Sequence, residues 1–380
     1  MDYGSACPVD ARVIETMQPF MEMAGNPSSI ISWGLAAKKA LEDAREKVAA
    51  LIGVDNPREV VFTGGATESN NIAILSGAGS LKDKGDHIIV SAIEHVSILN
   101  PCKELMKHGF EVSIIPVNDQ GVVDIEGIEK AITDKTVLIS VMYANGEIGT
   151  IQPIRKIGEL AVQNKIMFHV DATAACGKIP VDVTADHIDI LTVSSNDMAG
   201  PQGAGALYMK RGIKLDPVMF GGGQERGVRS GTENIAGIAG MGKAAEISMN
   251  DMKENAIYTS GLRDKLLDGL ASKVSDCYIT GSRTDRLPNH ASVRFSYIEG
   301  ESITLNLDMM GVAAASGSAC TSHTLKASHV LIALGLKHEE AHGSVVLTLS
   351  RSNTEEDVDY IIDVLPGIVE RLRMMSPLTP

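Results

Sequence analysis

From Trp33 onward, apolar residues recur at steps of three and four between charged positions, at Leu41, Ala44, Val48 and Leu51, and the pattern stops at Gly53. That spacing is the stripe of an amphipathic helix closed by a glycine. The period then changes. Short β-branched runs follow at Val60-Val61-Phe62, His87-Ile88-Ile89-Val90, Val112-Ser113-Ile114-Ile115, Thr136-Val137-Leu138-Ile139 and Ile166-Met167-Phe168-His169-Val170. Helical patterns over 125–132 and 154–164 lie between several of them. Strand and helix in alternation predict crossover units and a mostly parallel sheet covered on both faces.

Beyond Ala206-Leu207-Tyr208-Met209 the alternation ends. A glycine-rich stretch over 221–227 leads into a long helical pattern from about 234 to 274. A mixture of strand-like runs, Ser292-Val293-Arg294-Phe295 and Val345-Val346-Leu347-Thr348, and helices follows. The last helix, from Glu355 to about Met374, opens on Thr354-x-x-Asp357, a capping-box pattern. The chain reads as a large α/β unit over 15–255 and a smaller α+β unit formed by 1–14 and 256–380, with the boundary inside the long helix. No internal repeat or linker of biased composition interrupts it.

The 380 residues carry 34 Lys+Arg against 48 Asp+Glu, a net charge of −14, which argues against a nucleic-acid binder with its basic stripe. Five cysteines, Cys7, Cys102, Cys176, Cys277 and Cys320, form no CxxC pair, so neither a zinc knuckle nor a disulfide framework is legible. An odd number of unpaired thiols suits a reducing cytosol. Met1-Asp2-Tyr3-Gly4 lacks the start of a signal peptide, and no stretch of about 18 apolar residues occurs. The expectation is a cytoplasmic protein without a membrane span or a nucleic-acid partner.

Four segments hold candidate chemistry. Gly64-Gly65-Ala66-Thr67-Glu68-Ser69 joins a strand to a helix, where backbone N–H groups and the Thr67 hydroxyl can cradle a phosphate, or where Thr67 simply caps the helix. Asp171 follows a buried strand, at the end where parallel sheets bind ligands, and equally fits a helix cap. Ser194-Ser195-Asn196-Asp197 opens a polar loop after the run Ile190-Leu191-Thr192-Val193. Ser316-Gly317-Ser318-Ala319-Cys320-Thr321-Ser322 sets one thiol among small residues, as a reactive group or as a buried small hydrophobe.

In chain order these segments resemble the cysteine desulfurase family, the NifS/IscS-like branch of the class V aminotransferases. The match runs through Gly25-Asn26-Pro27-Ser28-Ser29, Phe62 to Ser69, Glu94-His95, Glu147-Ile148-Gly149, Val170-Asp171-Ala172-Thr173, Arg226 to Thr232 and Gly317-Ser318-Ala319-Cys320. The resemblance implies a homodimer of pyridoxal-phosphate (PLP) fold type I, with a mostly parallel seven-stranded sheet. Active members take sulfur from cysteine, leaving alanine and a persulfide on the loop cysteine. By position, Asp171 would pair with the pyridinium nitrogen and His95 would stack on the ring. Thr67, Ser194 and Thr232 of the partner subunit would hold the phosphate. Asn26 and Arg351 would bind substrate, Arg351 by its carboxylate, and Cys320 would accept the sulfur.

The departures are as informative. Where the family has Ser-x-His-Lys, this chain has Ser194-Ser195-Asn196-Asp197, so the lysine that forms the Schiff base is Asp197, and a carboxylate forms no imine. Asn196 stands at the position of a phosphate-binding His, Gly146 and Ala174 at positions of ring-binding Asn and Gln, Ile31 at that of a His and Gln202 at that of a Lys. Three or four lost hydrogen bonds at about 1 kcal/mol each would weaken cofactor binding roughly a hundredfold. Lys178 and Lys210 are near in sequence and read as solvated surface lysines. The segments 293–302 and 336–343 resemble an archaeal subgroup with Asp at the lysine position. The leading expectation is a pseudoenzyme of iron–sulfur cluster assembly that docks a U-type scaffold and uses Cys320 for sulfur transfer or as a ligand to a transient, shared iron–sulfur cluster. The alternatives are a desulfurase with non-covalent PLP and a pocket rebuilt for another phosphate-containing ligand.

Overall fold

The computed structural model describes residues 1–5, 7–23, 25–317 and 327–377. Seven strands, β1 (Val60–Thr63), β2 (His87–Ser91), β3 (Glu111–Ile115), β4 (Thr136–Ser140), β5 (Met167–Asp171), β6 (Ile190–Ser194) and β7 (Gly205–Met209), form one sheet in the order β1-β7-β6-β5-β4-β2-β3. The pairs from β3 to β6 are parallel, and β7 runs antiparallel to both β6 and β1. The alternation in the sequence accounts for the parallel part. The reversal at β7 comes from the short connection 195–204, because a parallel return needs a crossover of a dozen residues or more. Every strand except the edge strand β3 is buried along its length.

The helices are α1 (Ala11–Glu22), α2 (Ser32–Leu51), α3 (Ala66–Asn71), which continues through a π turn (Ile72–Ser76) into α4 (Gly77–Gly79), α5 (Val96–Lys107), α6 (Ile125–Ala131), α7 (Ile154–Asn164), α8 (Ile235–Lys273), α9 (Gly300–Met309), α10 (His329–Ala333), α11 (His338–His342) and α12 (Glu355–Met375). On α2 the buried positions include the predicted stripe Leu41, Ala44, Val48 and Leu51. It packs on α8, where a Cβ added at Gly242 would lie 2.6 Å from Ala44 Cα, so the two backbones approach this closely only because position 242 is glycine.

A second sheet, β8 (Cys277–Ile279), β9 (His290–Phe295) and β10 (Ser344–Thr348), is antiparallel in the order β10-β9-β8. Its apolar core takes Leu262, Leu266 and Leu270 from the second half of α8 and Val358, Ile361 and Leu365 from α12. The first half of α8 buries Ile235, Ile238 and Met241 in the core of the large sheet. One 39-residue helix thus serves both cores. The capping box at α12 forms as its spacing predicts: Thr354 Oγ1 accepts from Asp357 N, and Asp357 Oδ2 accepts from Thr354 N at 3.0 Å. Among the described residues, no helix is long and apolar enough to cross a membrane. Cys320 lies outside the described residues.

Candidate functional site

The parallel strands β5 and β6 deliver Asp171 and Ser194 to one edge of the sheet, at the carboxyl ends where such sheets bind ligands. A cavity of about 670 Å³ opens there, lined by Gly64, Gly65, Thr67, Thr173, Ser194 and Asp197 among others. Its floor is the turn from β1 into α3. Gly65 has φ +144°, open to glycine and strained for other residues, and a Cβ on Gly205 of β7 would come within 2.6 Å of Gly65 Cα. Gly65 is the N-cap of α3 and no side chain caps the helix, so Thr67 is not the cap that its sequence context also allowed. Glu68 ties the turn down, accepting from Gly64 N at 2.9 Å and from Arg229 Nε at 2.9 Å. The first-turn N–H groups have no partner within the helix.

Behind the cavity runs a chain of hydrogen bonds that the sequence did not reveal. Asn70 Nδ2 donates to Asp171 Oδ2 at 2.7 Å and to Ser97 Oγ at 2.8 Å. Ser97 Oγ lies 2.7 Å from His95 Nδ1, and Ser97 N also donates to that nitrogen at 3.2 Å. Two donors on Nδ1 leave the His95 proton on Nε2. His95 is also the N-cap of α5. Asp171 Oδ1 accepts from Thr173 N at 3.0 Å, so the carboxylate closes its own turn and still faces Asn70. The available signal for Asn70 was its place one turn into the helix behind the glycine pair, facing the strand that ends at Asp171. The signal for Ser97 was its position two residues past His95.

Asp197 occupies the 3₁₀ turn Asn196–Met198 and lines two cavities at once. The second, about 420 Å³, lies toward the small sheet and is lined by Cys7, Lys178, Ser248, Asn255 and Arg351 as well. Lys178 is not the solvated lysine expected from the sequence. Its side chain is 17% exposed, its Nζ sits 3.9 Å from Asp197 Oδ1, and it donates to Ala174 O at 3.2 Å. The turn over 172–179, with Cys176 and Ile179 packed inward, folds it back under the loop. Lys210 is at the surface, paired with Asp189 at 2.9 Å. Burial pushes the Asp197 carboxyl up from the ordinary range, with Lys178 and a hydrogen bond from Ser194 acting against it.

Other predicted residues lie outside the first cavity. Arg351 pairs with Asp10 and, at 3.1 Å, with Asp251 Oδ2. Arg12, joined by Arg351, holds the Asp10 carboxyl down at about 2. The guanidinium is therefore held by two carboxylates of its own chain. Asn26 closes a turn by accepting from Ser28 N at 2.9 Å, and Thr232 is exposed on the glycine-rich loop. Cys7 faces the second cavity, with its thiol raised by burial. Burial also raises Cys102 and Cys176 to about 12 and Cys277 to about 11, which suits structural thiols.

Two buried polar atoms at the loop ends, Thr173 Oγ1 and Asn196 Oδ1, have no hydrogen-bond partner. Thr173 lines the cavity, and with the glycine turn, Thr67 and Ser194 it fits a phosphate-bearing ring, while a carboxylate at position 197 forms no imine.

A mostly parallel seven-stranded sheet with a ligand cavity at its carboxyl edge and a small antiparallel sheet beside it defines a PLP fold type I protein. The sequence profile of the family "Aminotransferase class-V" matches residues 1–361. The chain belongs to that family, in its branch of IscS/NifS cysteine desulfurases. It is 53% identical to "Cysteine desulfurase IscS 1" of Archaeoglobus fulgidus over 99% of this chain and 98% of that protein. It is 48% identical to "Cysteine desulfurase IscS" of Methanosarcina thermophila over 100% and 94%. A solved NifS-like protein superimposes with a TM-score of 0.91 at 37% identity, covering 98% of this chain and 99% of that one.

Proposed function

We propose that this protein is a desulfurase-like component of iron–sulfur cluster assembly that lacks lysine-dependent desulfuration, docks a U-type scaffold, and offers Cys320 for sulfur transfer or as a shared ligand to a nascent cluster. The observation that carries the reading is Asp197, a carboxylate at the family's lysine position, lining the cavity and paired with Lys178. PLP, when bound, supplies an electron sink for bonds at the substrate's α-carbon. Thr67, Ser194 and the glycine turn would hold its phosphate, Asp171 its ring nitrogen and His95 its face. No residue of the first cavity carries an amine among the described residues. Arg351, engaged by Asp10 and Asp251, would have to leave both to grip a substrate carboxylate. The test is alanine release from cysteine by the purified protein. The expected result is no turnover above background, and a rate of ~1 s⁻¹ or more would refute the reading.

One observation favours a second reading, a desulfurase with non-covalent PLP: the chain His95–Ser97–Asn70–Asp171 is intact. It is distinguished by the same assay run with added PLP.

A homodimer is part of the proposal. Ile30, Trp33 and Phe220 are 90%, 59% and 85% exposed, near the loop that carries Thr232 and the segment that carries Asn26, which supports a second copy covering them. A cytoplasmic location is proposed from the unpaired thiols.

A further inference from the structure

Residues 318–326, which carry Cys320, are flanked by Gly317 on one side and by Ala327-Ser328 on the other. The first end leaves the small sheet. Ala315 exchanges two backbone bonds with Val346 of β10, at 2.7 and 3.0 Å, and Gly317 N donates to Ser344 Oγ at 3.1 Å. The second end is fixed on the large unit. Ser328 caps α10, its Oγ accepting from Val330 N at 3.1 Å and from Leu331 N at 3.3 Å. His329 Nε2 lies 2.9 Å from Glu94 O, and Val330 and Leu331 pack with Ile93, Met142 and Ile148.

Glu147, in the turn that follows β4, touches both ends. Its Oε2 accepts from Ser328 Oγ at 2.7 Å. Its Oε1 lies under Gly317, where an added Cβ would collide with that oxygen and with Ser344 Oγ, so the approach requires glycine. The turn itself is pinned: Asn145 Oδ1 accepts from Glu147 N and Ile148 N at 2.8 and 3.0 Å, and Asn145 Nδ2 donates to Ile93 O at 3.0 Å. Two N–H donors occupy the Ser328 oxygen, so its own proton goes to Oε2 and the acid proton of Glu147 sits on Oε1. Burial pushes this carboxyl up to about 8, which keeps the proton there at neutral pH. Oε1 is shut off from water and has no hydrogen-bond partner among the described residues.

We propose that Glu147 is the positioning residue for Cys320: it fastens both ends of the stretch 318–326 to one point of the large unit and so sets how the Cys320 thiol is presented. One end comes from the small sheet and the other from α10, so a single side chain ties the two units together across the base of this stretch. A charged carboxylate there would face one hydroxyl donor, whereas the neutral acid is satisfied by it. The bearing of this fastening on sulfur transfer rests on the role proposed above for Cys320. The fastening itself does not.

Two rates in the full-length protein at neutral pH test the proposal: hydrogen exchange at the Gly317, Val330 and Leu331 amides, and alkylation of Cys320 by iodoacetamide, both read by peptide mass. Glu147→Ala is expected to speed exchange at these amides about tenfold and alkylation at least about threefold, factors of the size one lost hydrogen bond supplies. Glu147→Gln, which copies the shape and neutrality of the acid, is expected to keep both rates within about twofold of the unaltered protein. Gly317→Ala is expected to speed exchange at Val330 and Leu331, at the opposite end, and to add nothing there once position 147 is alanine. A purely local packing defect at 317 would not show that dependence. Either rate unchanged in Glu147→Ala overturns the proposal, as does a Gln variant that behaves like the Ala variant. If Glu147→Ala does not fold, Gly317→Ala decides alone, and an undisturbed Val330 and Leu331 overturns the proposal. None of these rates requires sulfur to move, so the role of Cys320 in transfer stands or falls separately, on cluster delivery to the scaffold by Cys320→Ser.

Discussion

At the scale of single residues, two buried carboxyls outside the cavity set the pH response. Glu94 and Glu147 are both pushed up to about 8 by burial. Each has one oxygen without a partner, while the other accepts from Ser91 and Met142 N in Glu94 and from Ser328 in Glu147. In the unfolded chain a glutamate titrates near ~4.3. Between that value and about 8 the folded state binds more protons than the unfolded one, so stability falls as pH rises through this window. The buried His169 and His290, lowered by burial to about 4 and about 3, pull the opposite way, but only below about pH 6.5. We expect denaturant midpoints to decline from about pH 7 to about pH 8.5, and Glu147→Gln to flatten that decline. A variant as steep as the unaltered protein would place the titration elsewhere. Asp197→Lys should introduce an amine close to Lys178, and like charges that close depress both amine pKa values, which leaves a neutral nucleophile. Covalent capture of pyridoxal phosphate at position 197, read by visible absorbance and by mass after borohydride reduction, is expected. Adding Gly146→Asn, where a Cβ would meet nothing within 4 Å, should tighten binding about fivefold. No capture would mean that the pocket has decayed beyond its anchor.

At the scale of elements, the cavity's outer rim is held by a buried ion pair. Arg45 of α2 makes two parallel bonds of 2.8 Å to Glu225, whose Oε2 also accepts from Phe62 N at 2.7 Å. Arg45 Nη1 donates to Val60 O at 2.8 Å, and its guanidinium lies 4.9 Å from the Phe62 ring centroid. The pair clamps the glycine-rich loop to β1, one strand-end away from Gly64 and Gly65. Glu225→Ala would leave Arg45 with only the half-exposed Glu42 as charge partner and Phe62 N without its acceptor, at a cost of about 3 kcal/mol in chemical denaturation. A cost under about 1 kcal/mol would show that the loop does not depend on the clamp.

At the scale of the whole molecule, Ile30, Trp33 and Phe220 are large apolar side chains exposed at 90%, 59% and 85%, which the proposed second copy would cover. Sedimentation is expected to show a dimer, and Phe220→Asp to shift it toward the monomer with little change in secondary structure. A monomeric unaltered protein would refute the dimer and remove Thr232 from the site.

The sequence alone determined the alternating strands and helices, the capping box at Thr354 and the absence of a lysine at position 197, because periodicity, caps and a missing amine are local facts. It also set Thr67, Ser194 and Asp171 at or just beyond strand ends, since the alternation sets the direction of those strands. Only the tertiary structure decided that β7 turns antiparallel, that Asn70 and Ser97 link Asp171 to His95, and that Arg351 is bound by Asp10 and Asp251. Apart from the local Ser97–His95 link, these residues come together across 27 to 341 positions of chain, a distance over which no local pattern carries information. Lys178 shows the difference most directly. A lysine in a short polar turn reads as solvated, until the packing of Cys176 and Ile179 turns it inward against the carboxylate that replaced another lysine.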